Sequence, residues 1–111
     1  MCLIAASAEA ARRSRAASTL RMSATAYCES GKTRSGAPAR RGFVAADPRV
    51  LPIGSRIRVL APKRYAGVYL VMDSGRGIRK RELDIFMPSC KQARAFGRRQ
   101  LSVRILQPGA K

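Results

Sequence analysis

The chain has 111 residues and a formal net charge of +17, most of it arginine. That length holds one small domain, and that field directs the molecule toward a polyanion: nucleic acid, an acidic membrane or an anionic wall polymer. With no histidine, and three cysteines in no zinc-type spacing, imidazole chemistry is excluded and neither a metal site nor a cofactor is expected.

Residues 1–20 (MCLIAASAEAARRSRAASTL) read as a basic N-terminal arm or the remnant of an export signal. The apolar run is too short to span a membrane, and no basic residues precede it as a signal peptide requires. Cys2 does not sit in a lipobox. From Arg21 the pattern turns to period two, with Met22, Ala24 and Ala26 on one side, the signature of a half-buried strand. A polar loop follows over residues 28–41. Phe43 to Ala46 is a short apolar strand stopped by the turn signal Asp47-Pro48. Arg56 to Leu60 alternates with Ile57 and Val59 inward, and Gly67 to Met72 is a nearly continuous apolar run suited to a fully covered strand.

The stretch Val71 to Met87 (VMDSGRGIRKRELDIFM) reads as strand, glycine-bearing loop, strand, with Asp73 and Asp84 at equivalent ends of a hairpin-like unit. Ser89 is a helix N-cap and Gly97 a C-terminal stop, so the one helix of the folded part follows Pro88. Gln100 to Leu106 is the last strand. Six short strands and one helix without a βαβ rhythm describe a mainly β fold, a small closed barrel over residues 21–107, followed by a tail over 108–111. Cys28 and Cys90 are either buried free thiols or a disulfide, which needs an oxidising compartment.

Three aspartates are rare acids in so basic a chain, and Asp47, Asp73 and Asp84 are expected to converge on one site. The succession ATAYC (Ala24 to Cys28), KTRSG (Lys32 to Gly36), VAADPRVLPIGSRIRV (Val44 to Val59), MDSGRGI (Met72 to Ile78), ELDIFM (Glu82 to Met87) and CKQARAFGRRQLSVRIL (Cys90 to Leu106) resembles the three-aspartate (3D) domain. That family is related to the catalytic barrel of membrane-bound lytic transglycosylase A. The resemblance implies a double-psi β-barrel in the cell envelope, periplasmic or secreted, acting on peptidoglycan glycan strands. It implies that Asp84 is the catalytic residue, with Asp73 and Asp47 as the other named aspartates, and it favours the Cys28–Cys90 disulfide. Thr33 and Ser35 are candidates to hydrogen-bond glycan hydroxyls, with a solvated loop as the alternative, and Arg79 supplies the positive charge that related sequences often carry as a lysine, though not its geometry. Related sequences often carry a glycine where this chain has Lys80, so an altered loop backbone is expected there. The second domain that walls the cleft in larger transglycosylases has no counterpart here, which leaves room for an envelope partner; the barrel itself is expected to be a monomer.

Glycoside hydrolysis ordinarily takes two carboxylates. Lytic transglycosylation manages with one, provided it is protonated at working pH. Burial and a neighbouring carboxylate both raise such a group, and Asp73 is the expected neighbour. Two other classes compete: a wall-binding barrel without activity, resembling expansin-like and rare-lipoprotein-type barrels, and a nucleic-acid binder. Arginines that alternate with apolar residues instead of clustering, and the absence of a recognised motif, argue against specific nucleic-acid binding.

Overall fold

A computed structural model of the protein describes residues 19–29, 31–75 and 77–109. Residues 1–18 with Cys2, Ser30, Arg76 and residues 110–111 lie outside the described residues. Six strands, β1 (Thr19–Tyr27), β2 (Phe43–Ala46), β3 (Arg56–Ala61), β4 (Gly67–Asp73), β5 (Glu82–Phe86) and β6 (Arg99–Gln107), close in the order β1-β5-β2-β4-β3-β6. Two pairs, β1–β5 and β2–β4, run parallel and the rest antiparallel. The fold is therefore the expected small, mainly β, six-stranded barrel, with one short helix, α1 (Cys90–Phe96).

Period-two patterning builds the interior. Met22, Ala24, Ile57, Val59, Leu83, Ile85, Leu101 and Val103 fill it, while Arg21, Arg56 and Arg58 point to solvent. The Ser89 Oγ caps α1 by accepting from the Gln92 N–H at 3.2 Å. Ala93 and Phe96 form the buried face, and Gly97 leaves the helix at φ 63°, which a glycine adopts without strain. A Cys28–Cys90 disulfide, Cα atoms 5.0 Å apart, joins the end of β1 to the first turn of that helix.

Two expectations need correction. β4 and β5 are not a hairpin: β2 lies between them, parallel to β4 and antiparallel to β5. A short loop alone does not force pairing when the shared neighbour satisfies both strands' backbone groups. Nor is β4 covered on both faces. Val71 is buried but Val68 is 45% exposed, because a closed barrel has one interior and the outer face of this strand receives no helix.

Candidate active site

Inward residues of β5 are Leu83 and Ile85, so parity alone sends Asp84 to the outer face of the barrel. Ala45 and Thr25 are its register partners on β2 and β1. On the other side of β2, Ala45 is also paired with Asp73. That pairing depends on a bulge: Val44 faces Val71, yet Ala45 faces Asp73, so β4 carries one extra residue there. Without Met72 as the extra residue, the Asp73 side chain would turn to the opposite face.

Asp73 and Asp84 line one cleft of about 260 Å³, with Tyr27, Glu29, Lys32 and Thr33 from the first strand and loop, and Gly75 and Ile78 from the loop after β4. The loop over residues 31–39 roofs it. Its own backbone bonds close it, Thr33 N to Ala37 O at 2.8 Å and Ala39 N to Gly31 O at 2.8 Å. Two further bonds dock it on the end of β4: Ser35 N donates to Met72 O at 3.1 Å, and Arg34 N to Asp73 Oδ1 at 2.8 Å. The same Asp73 oxygen accepts from Ser74 N at 2.9 Å. Asp73 thus ties two cleft loops together.

Asp84 sits half-buried beneath this roof. Burial is the largest cause raising its pKa above the ordinary carboxylate range, and the charges of Glu29 and Asp73 add to it. Thr25 opposes the rise, its Oγ1 donating to Asp84 Oδ1 at 3.1 Å. Tyr27, edge-on to Phe86 with ring centroids 5.5 Å apart, has a buried hydroxyl with no partner among the described residues. Burial and the two aspartates push its pKa up to about 12, so it remains a neutral donor. The one cation lining the cleft among the described residues is Lys32.

The expected meeting of three aspartates reduces to two. Asp47 does not line the cleft; it is 3% exposed and fully engaged elsewhere. It accepts from Arg49 N at 2.9 Å, from the Arg49 guanidinium at 3.1 and 3.0 Å, and from Lys80 N at 2.8 Å. The Arg49 guanidinium and these backbone donors hold its carboxyl well below the usual range. It fastens the loop after β4 to the turn after β2, and the third acid at the cleft is Glu29.

Among the expected substrate contacts, Thr33 lines the cleft but its hydroxyl proton goes to Ala37 O at 2.6 Å. Ser35 is exposed, and its hydroxyl must therefore donate to Thr33 Oγ1, 2.8 Å away. Arg79 is exposed and outside the cleft lining; its backbone N–H caps Glu82 at 3.0 Å. Lys80 holds a left-handed backbone at φ 56°, a conformation that glycine adopts more readily. Sequence reasoning missed Thr25, Glu29 and Lys32. Parity on β1 could have placed Thr25 beside Tyr27, but nothing in the spacing marks the two loop residues. Among the described residues no cluster of three or more Cys, Asp or Glu could hold a metal.

Known proteins agree with this architecture. A relative from Bacillus subtilis, the "Cell wall-binding protein YocH", is 32% identical over 100 residues, covering 82% of this chain and 33% of its own length. Another, the "SPbeta prophage-derived uncharacterized protein YorM" from the same organism, is 33% identical over 89 residues, 71% of this chain and 37% of that protein. The chain thus spans about a third of the length of the curated relatives it matches. Among solved structures, MltA from E. coli superposes with a TM-score of 0.57 at 19% identity, covering 71% of this chain and 28% of MltA, a likeness of fold. The sequence model of the 3D domain matches residues 42–107, more than half of the chain and all three aspartates, and the protein belongs to the 3D domain family.

Proposed function

We propose that the protein cleaves peptidoglycan glycan strands in the cell envelope by lytic transglycosylation, with Asp84 as its single acid and base. The observation that carries this reading is the placement of Asp84: half-buried in a cleft, raised in pKa and faced by no arginine among the described lining residues. The fold shared with MltA and the name of the wall-binding relative support the substrate class.

In this mechanism the protonated Asp84 donates to the glycosidic oxygen, and the C–O bond to the leaving sugar breaks. Positive charge builds on the muramic sugar ring. The Asp84 carboxylate then takes the proton from that sugar's primary hydroxyl, whose oxygen bonds the anomeric carbon and closes an anhydro ring. No water is consumed and Asp84 ends protonated. Asp73 is a positioning residue: with Oδ1 committed to two backbone N–H groups, it holds the roof and contributes charge. Tyr27, its hydroxyl buried and without a partner among the described residues, forms part of the cleft wall beside Asp84. At about 260 Å³ the cleft falls just below the usual range of ligand sites, about 300–1,000 Å³. It grips one sugar ring, and a further envelope component completes the far wall.

The test is product analysis. Purified peptidoglycan incubated with the protein is expected to release anhydro-muropeptides detectable by mass spectrometry, and Asp84→Asn to release none. A second reading, a wall-binding barrel without activity, draws on the name of the B. subtilis relative. Co-sedimentation with wall material without any product would establish it in place of the first.

A further inference from the structure

A second groove, of about 340 Å³, lies against α1 and the 3-10 turn over Lys63–Tyr65. Its lining includes Tyr65, Tyr69 and Phe96 together with Arg41, Arg64 and Arg99, and no acidic residue among those described. Three guanidiniums on one groove with no carboxylate among its described lining make a positive patch that attracts an anion.

Arg99 is the anchor. Its Nε donates to Phe96 O at 2.9 Å, and its guanidinium carbon stands 5.3 Å from the Tyr65 ring centroid and 5.4 Å from that of Phe96. The two rings meet edge to face at 4.8 Å, and Tyr69 fixes the wall by donating its hydroxyl to Tyr65 O at 2.8 Å. Held at one nitrogen and by two rings, Arg99 keeps both terminal amino groups without a partner among the described residues. Arg64 reaches the same Tyr65 ring at 5.7 Å. A guanidinium oriented in this way presents parallel donors that match the two oxygens of a carboxylate or phosphate. The aromatic walls would cover an apolar or sugar face beside that anion.

We propose that this groove is a second binding site, separate from the aspartate cleft, for a carboxylate or phosphate carried on a polymer segment. Identifying the polymer with a wall component rests on the function proposed above; the oxyanion site does not. The two readings fail separately, the cleft on product formation and the groove on polymer affinity.

The experiment is NMR titration of the whole chain with poly(glutamic acid) and with poly(glycerol phosphate) at fixed salt, and with duplex DNA as comparison. Amide shifts are expected over residues 64–69 and 95–99, with affinity falling about tenfold in Arg99→Ala. Arg99→Lys is expected to lose nearly as much, since an ammonium neither forks nor stacks in the same way. Arg58→Ala, on the outer face of β3, should cost no more than about twofold, the loss of one screened charge. Melting curves check that Arg99→Ala still folds. If it does not, the exposed pair Arg41→Ala/Arg64→Ala decides, with a clear loss expected. Binding of the first polymer alone assigns a carboxylate ligand, and of the second alone a phosphate ligand. Equal losses in Arg58→Ala and Arg99→Ala, wild-type affinity in Arg99→Lys, unchanged affinity in the double variant, or binding of DNA alone would each overturn the proposal.

Discussion

Asp73 and Asp84 belong to different strands, yet both are registered against the same residue, Ala45 of β2. Two strand spacings put their Cα atoms about 10 Å apart. One of the pair has an oxygen bound to two backbone donors, whereas the other accepts only from a threonine hydroxyl among the described residues. The division favours Asp84 as the group free to exchange a proton. Asp84→Asn is expected to lower anhydro-product formation at least about 100-fold, the usual worth of an acid–base group. The same variant should melt slightly higher at neutral pH. A carboxyl whose folded pKa is raised contributes most below its unfolded value and loses that contribution as pH rises through the folded one.

The pH dependence of cleavage carries a sign that two variants move in opposite directions. Because the acid must be protonated, the rate falls as pH rises through the Asp84 pKa. Thr25→Ala removes the bond that favours the ionised form, so the falling limb shifts to higher pH. Glu29→Gln removes a like charge and shifts it lower. Rate–pH profiles of the three proteins measure both shifts, and limbs that coincide would remove Asp84 from the proton transfer.

Asp47 is expected to matter for folding and not for the chemical step. Its depressed pKa gives stability that is present above the unfolded value, about 3.9, and lost as pH falls below it. Thermal melts from pH 7 down to pH 2 should show a steeper acid loss in wild type than in Asp47→Asn. Hydrogen exchange of the Lys80 amide, which donates to this carboxylate at 2.8 Å, should accelerate in Asp47→Ala.

Lys80 holds φ 56°, the one left-handed backbone among the described residues outside glycine. That conformation costs a side-chain-bearing residue about 1–2 kcal/mol. Lys80→Gly relieves it while freeing the unfolded chain, so a net gain of about 1 kcal/mol in chemical denaturation is the expected outcome.

The disulfide spans 62 residues of sequence, and chain-entropy arithmetic gives it about 4 kcal/mol. Cys28→Ser/Cys90→Ser should lower the denaturant midpoint accordingly. Since Cys28 adjoins Glu29 and the roof, exchange protection over residues 31–39 should fall as well, even where the barrel core remains protected.

Strand parity made most of the barrel legible: alternation in β1, β3 and β6 put Met22, Ile57 and Leu101 inside, and the N-cap Ser89 and stop Gly97 bounded the helix. The topology was less legible. An apolar run such as Gly67 to Met72 does not show how many of its faces are covered, and a loop of eight residues does not show which strand will slip between its arms. Of the candidate site, Asp84 could be read because motif and parity both marked it, whereas Asp73 was marked by the motif alone, since its facing depends on the bulge at Met72. Glu29 and Lys32 could not, since a polar loop lacks periodicity and these residues gain their position from the disulfide and from bonds to Met72 and Asp73. The family match itself begins at residue 42, after that loop.

β1 and β6 pair antiparallel, with Thr19 opposite Arg104. The first strand therefore enters the barrel at the rim where the last one leaves, and Tyr27, at the far end of β1, opens onto the cleft. At the other end of the path, Gly109 N donates to Ser55 Oγ at 2.8 Å and Val71 N donates to Ser55 O at 2.8 Å, so the segment leaving β6 is pinned two residues short of Asp73, and a pull on it would be felt at the cleft.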